Sequence, residues 1–455
     1  MLSLTTSLRQ IDPACDALVD AVEQAPSLAL MLVAAWQLAR TLTVRLVESV
    51  LAQRTRQPTA WPLCPRCGAR LQSKGFVPRQ ILSLVGVIRW ERRVGRCPHG
   101  CKIGQLAPLD AALGLAPQPR TSGELKQAGC ALAVFVPFET GGALLSLLSG
   151  VRVSPGTVWL WVQEAGQRAM QRLAQELQDL LEGQAPAEEP IEPQTAALPL
   201  VIGADGVMVP FRPAEGTPKG KTVWREVKVA ILARLGRHTT RTGHAAPRLE
   251  RRRVVAVLGA IAALAPRLWL EALRQGIRKA KQVAWLSAGA RGFWRLFAEN
   301  LSPYAIGILD FYHAAQNVWK GAAAWLAGRT KRARQWFVVA RHRLRHGEAD
   351  KVLTDIAQAL ELDGLPDSAR ETLTKLYTYL DKHRDHINYA QLKELGLPIG
   401  SGLVESACKW LIQQRFKGVG MRWSNDGFHH LLHLRLSWVN GRFESLFLPE
   451  ASPNC

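Results

Sequence analysis

Acid is what this sequence lacks. Only 37 Asp and Glu stand against 58 Lys and Arg, a formal net charge of +21 over 455 residues. That imbalance excludes an acidic scaffold and requires a polyanionic partner, with double-stranded nucleic acid the first candidate. Long apolar runs are also missing. The longest, Leu28 to Trp36, is too short to span a bilayer, and the first residues lack the charged, apolar, small-residue order of a signal peptide. A cytoplasmic protein without membrane contact is therefore expected. Cysteine is sparse, at 15, 64, 67, 97, 101, 130, 408 and 455, which excludes a disulfide framework; four of the eight fall in two close pairs, a pattern of metal binding in a reducing compartment. There is no internal repeat. What is present is a 47% hydrophobic composition, enough to bury the cores of two to four domains and to exclude a chain disordered as a whole.

The apolar spacing divides the chain. From Leu8 to Ala52 it is helical, giving an N-terminal helical segment over 1–60. Residues 61–110 are Gly- and Arg-rich and carry the paired cysteines, and 111–181 return to a helical pattern. The acidic, proline-rich stretch 182–199 reads as a linker. Beyond it the period changes to Val- and Ile-rich runs at Leu198–Phe211, Val223–Leu235 and Arg253–Ala260, a three-strand meander. A helix at Ile261–Lys281, a strand at Val283–Leu286, a helix at Gly292–Asn300, a strand at Ala305–Leu309 and a helix from Ala314 follow. That order predicts a multidomain α/β protein with a ribonuclease H-like core: its first part over 200–327, an all-helical insertion over 328–396, and the final helix and C-terminal region over 397–447.

Four motifs carry chemistry. Cys64-Pro-Arg-Cys67 and Cys97-Pro-His-Gly-Cys101, separated by a hairpin near Ile81–Trp90, match a four-cysteine zinc ribbon, with His99 the alternative to a cysteine in the longer second loop. In Phe138–Gly166 a helix ends at Gly150 and Ser154-Pro155 starts another, a helix-turn-helix whose second helix would read DNA. Asp205 in the first core strand, Asp310 at the end of a later one and Glu405 in the first turn of the last helix are carboxylates on elements that meet at one edge of such a core, where two Mg²⁺ ions could be held. Arg329, Lys331, Arg332, Arg334, Arg341, Arg343 and Arg345 form a helical stretch without one acid, suited to phosphate, with Trp336 and Phe337 interleaved. Lys409, Arg415, Lys417, Arg422 and Trp423 extend that character past Glu405 as phosphate guides or a stacking platform. His429 and His433 have ligand spacing but no third partner, and read as packed or surface side chains.

The segments DGVMVPF, DFYHAA and GSGLVESACKWLIQQRFKGVGMRWS resemble those of bacterial insertion-sequence transposases of the Kra type, relatives of the Mutator and hAT groups. The resemblance implies a DDE transposase, a dimer or higher oligomer on nucleoid DNA, cutting element ends and joining them to target DNA with two Mg²⁺ ions. In those groups an Asp before Gly-Ala ends the fourth strand, and a D-x-x-H motif one strand later supports the site. Asp310-Phe-Tyr-His313 fits the supporting motif, and Ala288 stands where the second metal-binding Asp is expected. Two readings follow: position 288 is a vacated carboxylate site, which is favoured, or Asp310 serves as the second carboxylate. If 288 is vacated, the chain is an inactivated transposase or a DNA-binding derivative of one.

Overall fold

A computed structural model describes residues 8–9, 13–104, 106–116, 120–213 and 221–448; Cys455 and the first residues of the N-terminal segment lie outside these. The chain forms two compact units, Met1–Ala165 with Glu444–Cys455, and Gly166–Phe443. The division falls inside the helix Pro155–Leu181, not at the stretch read as a linker.

In the first unit the expected helical segment is two helices, Pro13–Glu23 and Leu28–Arg56, because Pro26 cannot continue the first and Ser27 caps the second by accepting from the Leu30 N–H. The second helix is 29 residues long, and by length and composition alone it could cross a bilayer; the apolar run at its start underestimated it. Of its side chains, Leu38 packs with Cys15 and Val19, and Leu51 with Ile81 and Trp90. Strands β1 (Gln72–Ser83) and β2 (Gly86–Arg96) pair antiparallel from Ser83↔Gly86 back to Gln72↔Arg96, a longer ribbon than the sequence suggested. Gly86 takes φ +137° at its turn, a conformation that a Cβ disfavours. Helix Phe138–Ser149 closes with Gly150 in the left-handed region and is followed by Pro155–Leu181, whose first turn Ser154 caps through the Thr157 N–H at 3.1 Å.

The second unit is built on one sheet of order β5-β4-β3-β6-β7, from β3 (Leu200–Phe211), β4 (Val223–Thr239), β5 (Ala245–Leu258), β6 (Val283–Ser287) and β7 (Ile306–Leu309). The first three form the expected antiparallel meander; β6 and β7 add in parallel after crossover helices. Val201, Ile202, Ala230, Leu232, Trp285 and Leu286 are essentially inaccessible, as β-branched and apolar runs covered on both faces must be. The insertion is wholly helical, with helices Lys331–Arg345, Ala349–Leu360, Asp367–Lys382 and Tyr389–Glu394. The last segment enters as a helix at Gly402–Ala407, widens into a π-turn at Cys408–Gln413 and resumes as Asn425–Val439.

The stretch 182–199 is tied to this unit rather than loose. The Glu189 N–H donates to the Arg274 carbonyl at 2.9 Å, and its carboxylate accepts from Arg251, Arg253, Gln275 and Arg442. Composition marks such a segment as a linker, but a carboxylate among four cationic and amide donors anchors it.

Candidate functional site

Register brings the candidate carboxylates level with one another. Gly203 lies opposite Leu286, so two residues on Asp205 lies level with Ala288; Ser287 lies opposite Leu309, so Ala288 is level with Asp310. Ala288 and Asp310 are the first residues past the ends of β6 and β7, and the register carried on by one or two residues sets Asp205, Ala288 and Asp310 level at this edge of the sheet. Side chains two apart on a strand share a face, and a Cβ on Gly203 would sit 3.2 Å from Leu403 and Val404. The helix that carries Glu405 therefore covers the face on which Asp205 stands.

Asp205 is half-buried, and its Oδ1 accepts from the Gly206 N–H at 2.8 Å. Burial raises its pKa, helped by the charges of Glu405 and Glu226 and opposed by Gly206 and His313. Glu405 is exposed, and its Oε1 accepts from the Ser401 hydroxyl at 3.2 Å. Buried Cys408 feels both charges: burial first, then Asp205 and Glu405, push its thiol up to about 12, so it is neutral and no nucleophile at pH 7.

Asp310 differs from these two. It is fully buried, and both its oxygens are engaged: Oδ1 accepts from the His313 main-chain N–H at 2.6 Å and faces the His313 ring at 3.0 Å, while Oδ2 accepts from the Ser401 N–H. Burial works against its charge, but those donors win and its pKa is lowered. Asp310 thus caps helix Phe311–Leu326 and ties it to the Gly400-Ser401-Gly402 loop ahead of Glu405. Gly400 passes so close to Tyr312 that a Cβ would meet the ring at 2.7 Å. Donor atoms of Asp310, His313 and Glu405 lie within 4.8 Å of one another.

The four cysteine sulfurs converge likewise within 4.8 Å, Cys67 and Cys97 at 3.4 Å. A tetrahedral zinc with bonds of about 2.3 Å sets its sulfurs about 3.7 Å apart, so four soft donors at this spacing fit that ion. His99 is exposed and outside the group. The β1–β2 register explains the convergence, since both cysteine loops leave the same end of the ribbon. Desolvation opposes a Cys97 thiolate, but the N–H groups of Cys101 and His99 outweigh it and bring the thiol down to about 6. The purified chain should contain about one zinc, measurable by plasma emission, and Cys97→Ser should lose it while the Gly166–Phe443 unit, with its own core, keeps its unfolding transition.

The basic residues divide. Arg329, Lys331, Arg332, Arg334, Arg341, Arg345, Lys409, Lys417 and Arg422 are exposed. Arg343 is instead paired with Asp355 at 2.8 Å. Arg415 is 2% exposed with its guanidinium over Trp423, and burial brings it down to about 10. The Trp423 ring packs on Phe416, and its N–H donates to the Phe416 carbonyl at 2.9 Å. Arg415 is therefore a core piece and not the phosphate guide that its composition suggested, while half-buried Trp423 has its ring and N–H engaged by Phe416 and Arg415. Trp336 and Phe337 likewise pack on Trp325 and Trp319. His433 is buried, its Nδ1 on the His429 carbonyl, a packed histidine as read. The second helix of the pair presents Trp159, Leu160 and Glu164 outward and has no cation before Arg168, although Arg152 in the preceding turn is exposed. A cleft of about 600 Å³ beside the second cysteine loop, lined by Lys74, Arg96 and Lys102, is basic and was missed; those cations are scattered in sequence and meet only through the ribbon register.

No protein-family model and no curated protein matches the chain. Among solved structures it is similar to a Drosophila P element transposase strand transfer complex, at 11% identity and a TM-score of 0.32, over 74% of this chain and 96% of that one.

Proposed function

We propose that the chain is a DNA transposase of the DDE kind, built on a ribonuclease H-like core, in which Ala288 vacates the second carboxylate position. The observation that carries this reading is the row Asp205, Ala288, Asp310 under the helix of Glu405. Asp205 and Glu405 each offer oxygen to a hard divalent cation, as Mg²⁺ requires. Position 288 offers only a methyl, so the donor set for a pair of such ions is short of one carboxylate. When bound, such ions polarise the scissile phosphate and activate the attacking oxygen. The protein's own part is positional. Asp310 and His313 hold the Glu405 loop against the strand ends, and the exposed cations hold the phosphate backbone. Asp310 suits a buttress better than a ligand, because both its oxygens already accept N–H bonds.

A second reading, a transposase-derived protein that binds DNA without cutting it, is favoured by the same methyl. A strand-transfer assay separates the two: end-labelled duplex from the DNA flanking the gene, supercoiled plasmid target, Mg²⁺. An unmodified chain that binds but transfers nothing, joined with transfer by Ala288→Asp, supports a transposase with a vacated site; absence of transfer by both supports the binding protein.

DNA affinity itself should be steeply salt-dependent, falling on the order of a thousandfold over a fourfold salt rise for six or more phosphate contacts. Fluorescence anisotropy at several salt concentrations checks it. Arg332→Ala and Arg334→Ala should reduce the slope for all sequences alike, whereas Arg343→Ala should act on stability through Asp355 and leave the slope unchanged.

A further inference from the structure

The helical insertion sends two phenols to the strand ends that frame the site. Tyr379, on helix Asp367–Lys382, donates its hydroxyl to the Ala288 carbonyl at 3.3 Å. Its ring lies against Gly289, which takes φ +97° and whose Cβ, if present, would sit 2.6 Å from the ring. No other residue fits that approach. Tyr389 is fully buried; it donates to the Leu309 carbonyl at 3.0 Å and meets the Phe311 ring edge-on at 5.1 Å. Leu309 and Ala288 are the last residues before the Asp310 cap and the Gly289 turn. Past the ends of β6 and β7 the ladder no longer orders the backbone, and a buried carbonyl there must find a donor or draw in water. Burial also keeps both phenols protonated, Tyr379 at about 12, so each stays a donor throughout the working pH range.

We infer that Tyr379 and Tyr389 are positioning residues, through which the insertion fixes the backbone that presents position 288 and Asp310 to the site. The inference rests on the reading of position 288 given above. A buried tyrosine commonly needs only some acceptor; here the two acceptors are the carbonyl of position 288 itself and that of Leu309, the residue before Asp310, and both donors come from one inserted segment. The helix that offers Lys331, Arg332 and Arg334 to DNA belongs to that same segment.

The test has one readout that needs no metal and one that does. By amide hydrogen exchange on the unmodified chain, Tyr379→Phe should speed exchange about tenfold at 293–294, whose N–H groups donate to the Ala290 carbonyl just past the held turn, and Tyr389→Phe should do so at 310–311, whose N–H groups donate to the Ser287 and Ile399 carbonyls. Exchange at Ile202 and Leu232 should not change. In the Ala288→Asp background, Tyr379→Phe should raise the Mn²⁺ concentration for half-saturation about tenfold, with DNA affinity unaltered. Unchanged exchange at 293–294 overturns the inference. So does faster exchange with unchanged Mn²⁺ affinity, which would make the tyrosine a packing residue only. If Ala288→Asp binds no Mn²⁺ at all, the reading of position 288 fails first and the inference falls with it. Should Tyr389→Phe not fold, Gly289→Ala, which displaces the Tyr379 ring, must reproduce both effects of Tyr379→Phe.

Discussion

Ala288→Asp should turn a chain that holds DNA without cutting it into one that cleaves in Mg²⁺, with a gain on the order of a thousandfold or more in single-turnover rate. The size follows from the chemistry: a divalent cation at a phosphoryl oxygen is worth several kcal/mol of transition-state stabilisation, and each 1.36 kcal/mol is about tenfold. Asp205→Asn or Glu405→Gln added to that variant should return the rate to its starting level, since neither amide replaces a carboxylate charge. DNA affinity should move little in all of these, because the exposed cations proposed to contact phosphate are other residues. An unmodified chain that already cleaves at the restored rate would remove the ground for the prediction.

The second large effect is on stability. Glu271 is 3% exposed and is held by Arg442 through two bonds of 2.8 and 2.9 Å, with Arg274 at 3.5 Å. Arg442 also reaches Glu189 at 2.5 Å. Breaking a buried pair costs about 3–5 kcal/mol when the remaining charge has no counterion; without Arg442, Glu271 keeps only the longer contacts to Arg274 and Arg253, so Arg442→Ala should destabilise the Gly166–Phe443 unit by an amount below that range in urea unfolding. The network also sets a pH dependence. Burial opposes the Glu189 charge, but Arg253, Arg442 and Gln275 overcome it and bring its pKa down from 4.5 to about 2. A carboxylate with a depressed folded pKa stabilises above its unfolded value and loses that contribution as pH falls through the folded one. Stability should therefore decline from about pH 4.5 toward pH 2, and Glu189→Gln should flatten that part of the profile.

How much of this could be read from the sequence depends on how local the signal is. Strands β3, β4, β6 and β7 were legible because Val and Ile runs between turn residues report burial directly; β5 was legible only from Arg253, since its first residues, Ala245 to Arg252, are exposed or half-buried and carry no such run. The cysteine loops were legible because ligand spacing is a property of a few adjacent residues. Arg415 and Trp423 were misread because a buried arginine over an indole has the same local composition as a DNA-binding one; only the packing of Phe416 and Phe428 around them distinguishes the two. Glu189 was misread for the converse reason, its partners Arg253, Gln275 and Arg442 lying 64, 86 and 253 residues away. The level placement of Asp205, Ala288 and Asp310 depends on parallel register, which no local period encodes. Tyr379 and Tyr389 gave no signal at all, since a tyrosine in an amphipathic helix reads simply as core.

The measurement closest to the central claim is a Mn²⁺ titration followed by electron paramagnetic resonance, on the unmodified chain, Ala288→Asp and Asp310→Ala. If position 288 is the vacated carboxylate site, Ala288→Asp should bind Mn²⁺ at least about a hundredfold more tightly than the unmodified chain, as the gain of a direct ligand exceeds the 10–100-fold worth of an outer-shell one. Tight binding by the unmodified chain, abolished by Asp310→Ala and not improved by Ala288→Asp, would make Asp310 the second carboxylate and contradict the account.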